Sequence, residues 1–160
     1  MTPRNVFPWL IAALIAVAVA LAAFSYSAIP GSVNTGLPSR FTANGKTFSI
    51  TFTASTEPQR EHGLMNTRIT NTTIMLFAWP SAGTYSFWMY QTNSSLDIIW
   101  ISANNGTGRI VYEALGAPPC YNSSSCPDYT PTSPANYALE VKAGFAQENG
   151  LQVGTILNFS

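Results

Sequence analysis

Phe87-Trp88-Met89-Tyr90-Gln91-Thr92-Asn93-Ser94-Ser95-Leu96-Asp97-Ile98-Ile99-Trp100-Ile101 is the stretch whose reading decides the fold. Two apolar, β-prone runs flank a polar Gln-Thr-Asn-Ser-Ser segment that can turn the chain, and a single acid, Asp97, opens the second run. The pattern predicts two buried strands with a carboxyl group at their rim.

Working outward, Ile74 to Trp79 reads as a strand stopped by Pro80, and Tyr85 to Met89 as another after the turn at Ser81-Ala82-Gly83. Downstream, Asn104-Asn105-Gly106 is a hairpin signal between strands at Ile98 to Ser102 and Arg109 to Leu115. A Pro-rich loop follows from Gly116 to Pro134, then a strand at Tyr137 to Val141, a helical turn at Phe145 to Asn149 ended by Gly150, and a closing strand at Thr155 to Phe159. Nearer the N-terminus, Lys46 to Thr53 alternates, with Phe48, Ile50 and Phe52 on one face. Thr56 can then N-cap a short helix that has Glu57 and Pro58 in its first turn and ends at Gly63. The expected fold class is all-β, a compact barrel or sandwich of about seven short strands with one or two short helices.

Ahead of that domain, Val6 to Phe24 is a run of 19 residues without a charge, about 28 Å as a helix and close to the thickness of a bilayer core. Arg4 precedes it and no Lys or Arg follows until Arg40, which by the positive-inside rule leaves residues 1–5 in the cytoplasm and the rest outside. A retained transmembrane anchor at residues 6–24 is the favoured reading; a signal segment cleaved near Ser25 or Ser27 is the alternative. Residues 25–40, rich in Ser, Gly, Pro and Asn, read as a flexible tether, and residues 41–160 as the extracytoplasmic domain.

Composition agrees with an outside surface. Charged residues are only 9% of the chain, against a usual value of about 25%, so hydroxyls, amides or attached glycans must carry solubility. The few bases are scattered, which disfavours nucleic acid as a partner. Cys120 and Cys126 are the only cysteines. In an extracytoplasmic loop they most simply form a disulfide; two thiols with the single distant His62 make a poor metal site. Asn71, Asn93, Asn105, Asn122 and Asn158 each begin an Asn-x-Ser/Thr sequon and are glycosylation candidates.

From about Phe48 to Phe159 the chain resembles the family called domain of unknown function 192. Arg60 with Gly63-Leu64-Met65, Met75-Leu76-Phe77, Phe87-Trp88-Met89, Thr92, Leu96-Asp97-Ile98, Tyr137-Ala138-Leu139-Glu140 and Gly150-Leu151-Gln152-Val153-Gly154 follow the family's order and spacing. Departures are Arg68, one place late after Met65, Tyr90-Gln91 where the family has Lys-Asn, Ser95 where it has Pro, and Thr155 where it often has Asp. The resemblance implies a small β-rich fold, often exported or membrane-tethered, with no established activity.

Asp97, flanked by Leu96 and Ile98, needs a partner to stay charged in apolar surroundings. Arg60, Arg68 or Thr92 can supply one, and bracing a turn is the purely structural reading. Glu140, between Leu139 and Val141, is a second acid that would pair with Asp97 for acid–base chemistry on a glycan if both face one site, or would be an exposed-face residue if not. Trp88, Trp100, Tyr90 and Tyr129 would form a stacking platform, or serve as core. No serine sits in a nucleophile elbow. The expectation is a membrane-anchored binding or assembly module of the cell envelope, with ligand-binding candidates Arg60, Trp88, Thr92, Asp97 and Tyr129 and no cofactor. The alternative is a hydrolase of cell-surface glycan using Asp97 and Glu140.

Overall fold

The computed structural model describes residues 36–160; the candidate anchor at residues 6–24, residues 1–5 before it and residues 25–35 of the tether lie outside the described residues. Among the described residues no helix is long and apolar enough to cross a membrane. Eight strands, β1 (Arg40–Ala43), β2 (Lys46–Ser49), β3 (Phe52–Ala54), β4 (Ile74–Gly83), β5 (Leu96–Asn104), β6 (Thr107–Ala117), β7 (Ala135–Lys142) and β8 (Ile156–Phe159), join two short helices, α1 (Glu57–His62) and α2 (Phe145–Glu148). The strands make one sheet in the order β2-β1-β8-β6-β5-β7-β4-β3, antiparallel except for the parallel β3–β4 pair.

The sheet's two edge strands, β2 and β3, are separated in sequence only by Ile50 and Thr51. Three Cα steps reach at most roughly 11 Å, so the sheet must curl until its edges nearly meet, giving a half-barrel. The hand-over is visible in the hydrogen bonds: the Ile50 N–H donates to the Ser39 carbonyl on one side, and the Thr51 N–H to the Ile74 carbonyl on the other, both at 2.8 Å. The single strand expected over Lys46 to Thr53 is therefore two strands at opposite edges, and Phe52 is 43% exposed, whereas Phe48 and Ile50 are half-buried against the core.

The centre of the sheet, β5, β7 and β4, is covered on both faces, which explains why these strands are continuous apolar runs. On one face Ile74, Leu76, Ile99, Ile101, Leu139 and Val141 pack with Phe41, Leu157 and the α2 residues Phe145 and Ala146. On the other face Met75, Phe77, Leu96, Ile98, Trp100 and Ala138 pack with Leu64, Phe87 and Met89. Here the sequence expectation changes. Phe87 and Met89 are buried and Trp88 exposed, as a strand would place them, but the segment makes only isolated bridges, Phe87 with Tyr129 and Tyr90 with Cys120. Its backbone partners come from the irregular loop, as in the Cys120 N–H donating to the Met89 carbonyl at 3.0 Å. Pro80 does not stop β4 either: the strand runs on to Gly83 through a register shift, where a residue without an N–H costs no ladder bond.

Local signals behave as expected elsewhere. Asn105 and Gly106 both have positive φ (49° and 77°), forming the two-residue turn between β5 and β6. Thr56 caps α1, where Gln59 Oε1 accepts from the Ser55 and Thr56 N–H groups, and Gly63 at φ 49° ends it. The start and end of the domain meet: the Ser39 and Arg40 N–H groups donate to the Ser160 carbonyl, and the Ser160 N–H to the Arg40 carbonyl.

Candidate functional site

Register decides which side chains share a face. Glu140 on β7 pairs with Ile98 on β5 and with Met75 on β4, whereas Asp97 pairs with Val141. Ile98 and Met75 belong to one core cluster and Val141 to the other, so the two carboxyl groups point to opposite faces of the sheet. The Asp97–Glu140 pair of the hydrolase alternative therefore does not form, and Glu140 is not the exposed-face residue otherwise expected: it is buried.

Asp97 is bound into the structure. Its Oδ1 accepts from the Gly116 N–H at 2.9 Å and its Oδ2 from the Ala146 N–H, in the first turn of α2, at 3.0 Å. Both oxygens tie elements together. Neither Arg60 nor Thr92 reaches it: Thr92 is buried and bridged to Met65, and Arg68 is exposed. Glu113, which sequence reasoning did not single out, lies beside Asp97. Partial burial, and secondarily the charge of Asp97, raises its pKa, and its Oε2 has no hydrogen-bond partner among the described residues.

On the opposite face a pocket of 420 Å³ opens over Glu140. The α1 residues Glu57, Arg60, Glu61 and His62, followed by Gly63 to Met65, line one side. Aromatic side chains line the other: Trp79 at the end of the regular part of β4, then Tyr85, Phe87, Trp88 and Tyr90 from the irregular segment. Trp79 and Tyr85 are stacked at 4.2 Å with planes 3° apart, and Trp88 and Tyr90 lie 5.3 Å apart. Phe77, Ser86, Thr92 and Asp128 complete the lining.

Glu140 is only 4% exposed, and its Oε2 has no hydrogen-bond partner among the described residues. Burial disfavours the charged form, raising its pKa from 4.5 to about 8. Gly63 borders the acid, its φ of 49° favouring glycine; a Cβ there would sit at ordinary contact distance, 3.6 Å from Glu140 Oε2 and 3.4 Å from Phe77 Cζ. Arg60 does not neutralise the acid. Its Nη1 donates to the Ser55 and Ala78 carbonyls, and its guanidinium carbon lies 5.6 Å from the Trp79 ring centroid.

Of the sequence candidates, Arg60, Trp88, Thr92 and Glu140 thus meet in one pocket, with Tyr90. Trp100 does not join the aromatic wall: it is wholly buried core, its Nε1–H donating to the Tyr85 carbonyl at 2.9 Å. Tyr129 packs behind Phe87 and is not part of the lining. Trp79, Tyr85, Met65 and Asp128 were missed, because only the fold brings the end of β4 and the loop next to α1. Cys120 and Cys126 form the expected disulfide, with Cα atoms 5.6 Å apart. The five sequon asparagines are all exposed, and among the described residues no group of His, Cys, Asp and Glu could hold a metal ion.

The sequence model of the family domain of unknown function 192, described as uncharacterized ACR, matches residues 39–159. A crystal structure of a protein of unknown function from Novosphingobium aromaticivorans is similar in fold, with a TM-score of 0.63 at 24% identity, covering 79% of this chain and 89% of that one. A Sinorhizobium meliloti protein, named as a candidate transcription regulator, gives a TM-score of 0.60 at 27% identity over 75% of this chain and 90% of its own. No curated protein matches.

Proposed function

The chain belongs to that uncharacterised family, and we propose that it is a small-molecule-binding module of the cell envelope, tethered outside the cytoplasm, with the pocket over Glu140 as its ligand site. One observation carries the reading: a buried carboxyl group, its Oε2 without a hydrogen-bond partner among the described residues, lining an open pocket walled by aromatic rings. A volume of 420 Å³ suits a small organic ligand, and an unsatisfied polar group is costly enough to need a reason. The Cys120–Cys126 disulfide supports an oxidising compartment. The uncharged run at residues 6–24 supports a membrane anchor, and the exposed sequons suit a glycosylated surface. The test is a fragment screen on the full chain in detergent, with methionine methyl groups labelled. Bound fragments should shift Met65, which lines the pocket; if none does, the reading falls. Release of the native protein from membranes by carbonate would overturn the anchor.

The hydrolase reading keeps one supporting observation: Glu140 with a raised pKa shares its pocket with Glu57, Glu61 and Asp128, the setting of a general acid. Asp97, on the other face, has no part in it. Multiple turnovers on envelope oligosaccharide, lost in Glu140→Gln, would favour the enzyme; saturable binding without turnover favours the module.

A further inference from the structure

We propose that the pocket over Glu140 selects ligands that present a protonated amine on an apolar or aromatic body, with the ammonium against the Glu140 carboxyl group and the body among the surrounding rings. This inference rests on the small-molecule reading above and names its ligand class.

Three features of the pocket agree on a cation. The first is Glu140, which lines the pocket and whose buried Oε2 has no hydrogen-bond partner among the described residues. The second is the wall: Trp79 stacked on Tyr85, and Trp88 beside Tyr90, offer ring faces that attract organic cations. Trp79 already holds one such partner in the Arg60 guanidinium. The third is the sign of the local field. Besides Glu140, three acids, Glu57, Glu61 and Asp128, line the pocket against the single guanidinium of Arg60, which is oriented by two backbone carbonyls. An anionic ligand would meet those three carboxylates. A neutral alcohol would satisfy Glu140 but gain little from the rings or the field.

The chemistry also predicts how recognition responds to pH. Glu140 is held mostly protonated at neutral pH, so pairing with an ammonium requires its proton to leave, and binding releases about one proton. Below about pH 8 the affinity should then rise roughly tenfold per pH unit. The other titratable or charged groups facing Glu140 are Glu57, Arg60, Glu61 and His62 from α1, Tyr85 and Tyr90 from the aromatic wall, and Asp128 from the loop. Its cross-strand neighbours Met75 and Ile98 do not titrate.

The test titrates benzylamine and its neutral counterpart benzyl alcohol into the methionine-labelled full chain in detergent, near pH 6 and near pH 7.5, reading the Met65 methyl shift. Benzylamine should bind about twentyfold tighter at the higher pH, and benzyl alcohol should change by less than about twofold. In Glu140→Gln, which keeps His62 and the rim acids, the amine should lose its pH response while the alcohol still binds. If the alcohol binds as well as the amine at both pH values, or the amine's slope survives in Glu140→Gln, the amine assignment is overturned and the pocket reading stands. If neither probe shifts Met65, both fall. Should Glu140→Gln fail to fold, the comparison of the two probes on the unaltered chain still decides.

Discussion

Asp97 and Glu140 occupy adjacent register positions on neighbouring strands, both nearly out of contact with solvent, yet the molecule treats them in opposite ways. On the face closed by α2 and β1, Asp97 has a backbone N–H for each oxygen. On the face covered by irregular segments, Glu140 has been left with an oxygen that nothing contacts by hydrogen bonding among the described residues. The same chemical group is a brace where the protein supplies the donors and a recognition element where it withholds them. Burial alone does not separate the two roles; the inventory of partners does.

The largest expected effect would sharpen that contrast. The folded-state pKa of Glu140 lies above its ordinary value, so the folded protein binds the extra proton. Its contribution to stability is full below about pH 4.5 and is lost as pH rises toward about 8. Unfolding free energy, measured by urea titration, should fall across that window by about 1.4 kcal/mol per pH unit, at most about 5 kcal/mol in all. Glu140→Gln should remove most of the fall, leaving a shallow slope of the same sign from Glu113. A full slope in the variant would break the comparison.

Asp97→Ala should act without regard to the pocket. The buried Ala146 N–H and the part-buried Gly116 N–H lose their acceptor, at a cost of about 2 kcal/mol in urea titration, while fragment shifts at Met65 stay unchanged. Replacing Cys120 and Cys126 together by serine should cost about 2 kcal/mol of stability. It should also weaken pocket ligands severalfold, because Cys120 exchanges backbone bonds with Met89 and Gln91 and the same loop carries Asp128. Smallest in stability is Trp88→Ala, since an exposed ring contributes less than about 0.5 kcal/mol. Its binding effect should be larger, a loss of about tenfold for a fragment that stacks on it.

Local chemistry made part of this legible in the sequence. The Asn105-Gly106 turn needs positive φ at both residues, Thr56 and Gly63 bracket α1, and two cysteines in one loop close on each other. What stayed hidden depends on pairing between distant segments. Lys46 to Thr53 alternates as one strand, and nothing local shows that Thr51 bonds to Ile74 across the sheet's opposite edge. Phe87 to Met89 has strand composition but finds only loop partners. The faces of Asp97 and Glu140 were illegible for a sharper reason. Strands buried on both sides carry no apolar–polar alternation, and without register an acid in such a strand cannot be assigned to a face. The site was half legible accordingly, with Arg60, Trp88, Thr92 and Glu140 named, while Trp79 and Tyr85 resembled ordinary core.

The meeting of Arg40 and Ser160 has a mechanical consequence. β1 begins where β8 ends, and the two run antiparallel with Phe41 opposite Phe159. Tension applied between residues 40 and 160 therefore opens the β1–β8 pair one bond at a time, like a zipper, instead of shearing all its bonds at once. Pulled by its ends, the domain should yield at low force by shedding that pair first, with the doubly covered centre of the sheet and its pocket the last part to feel the load.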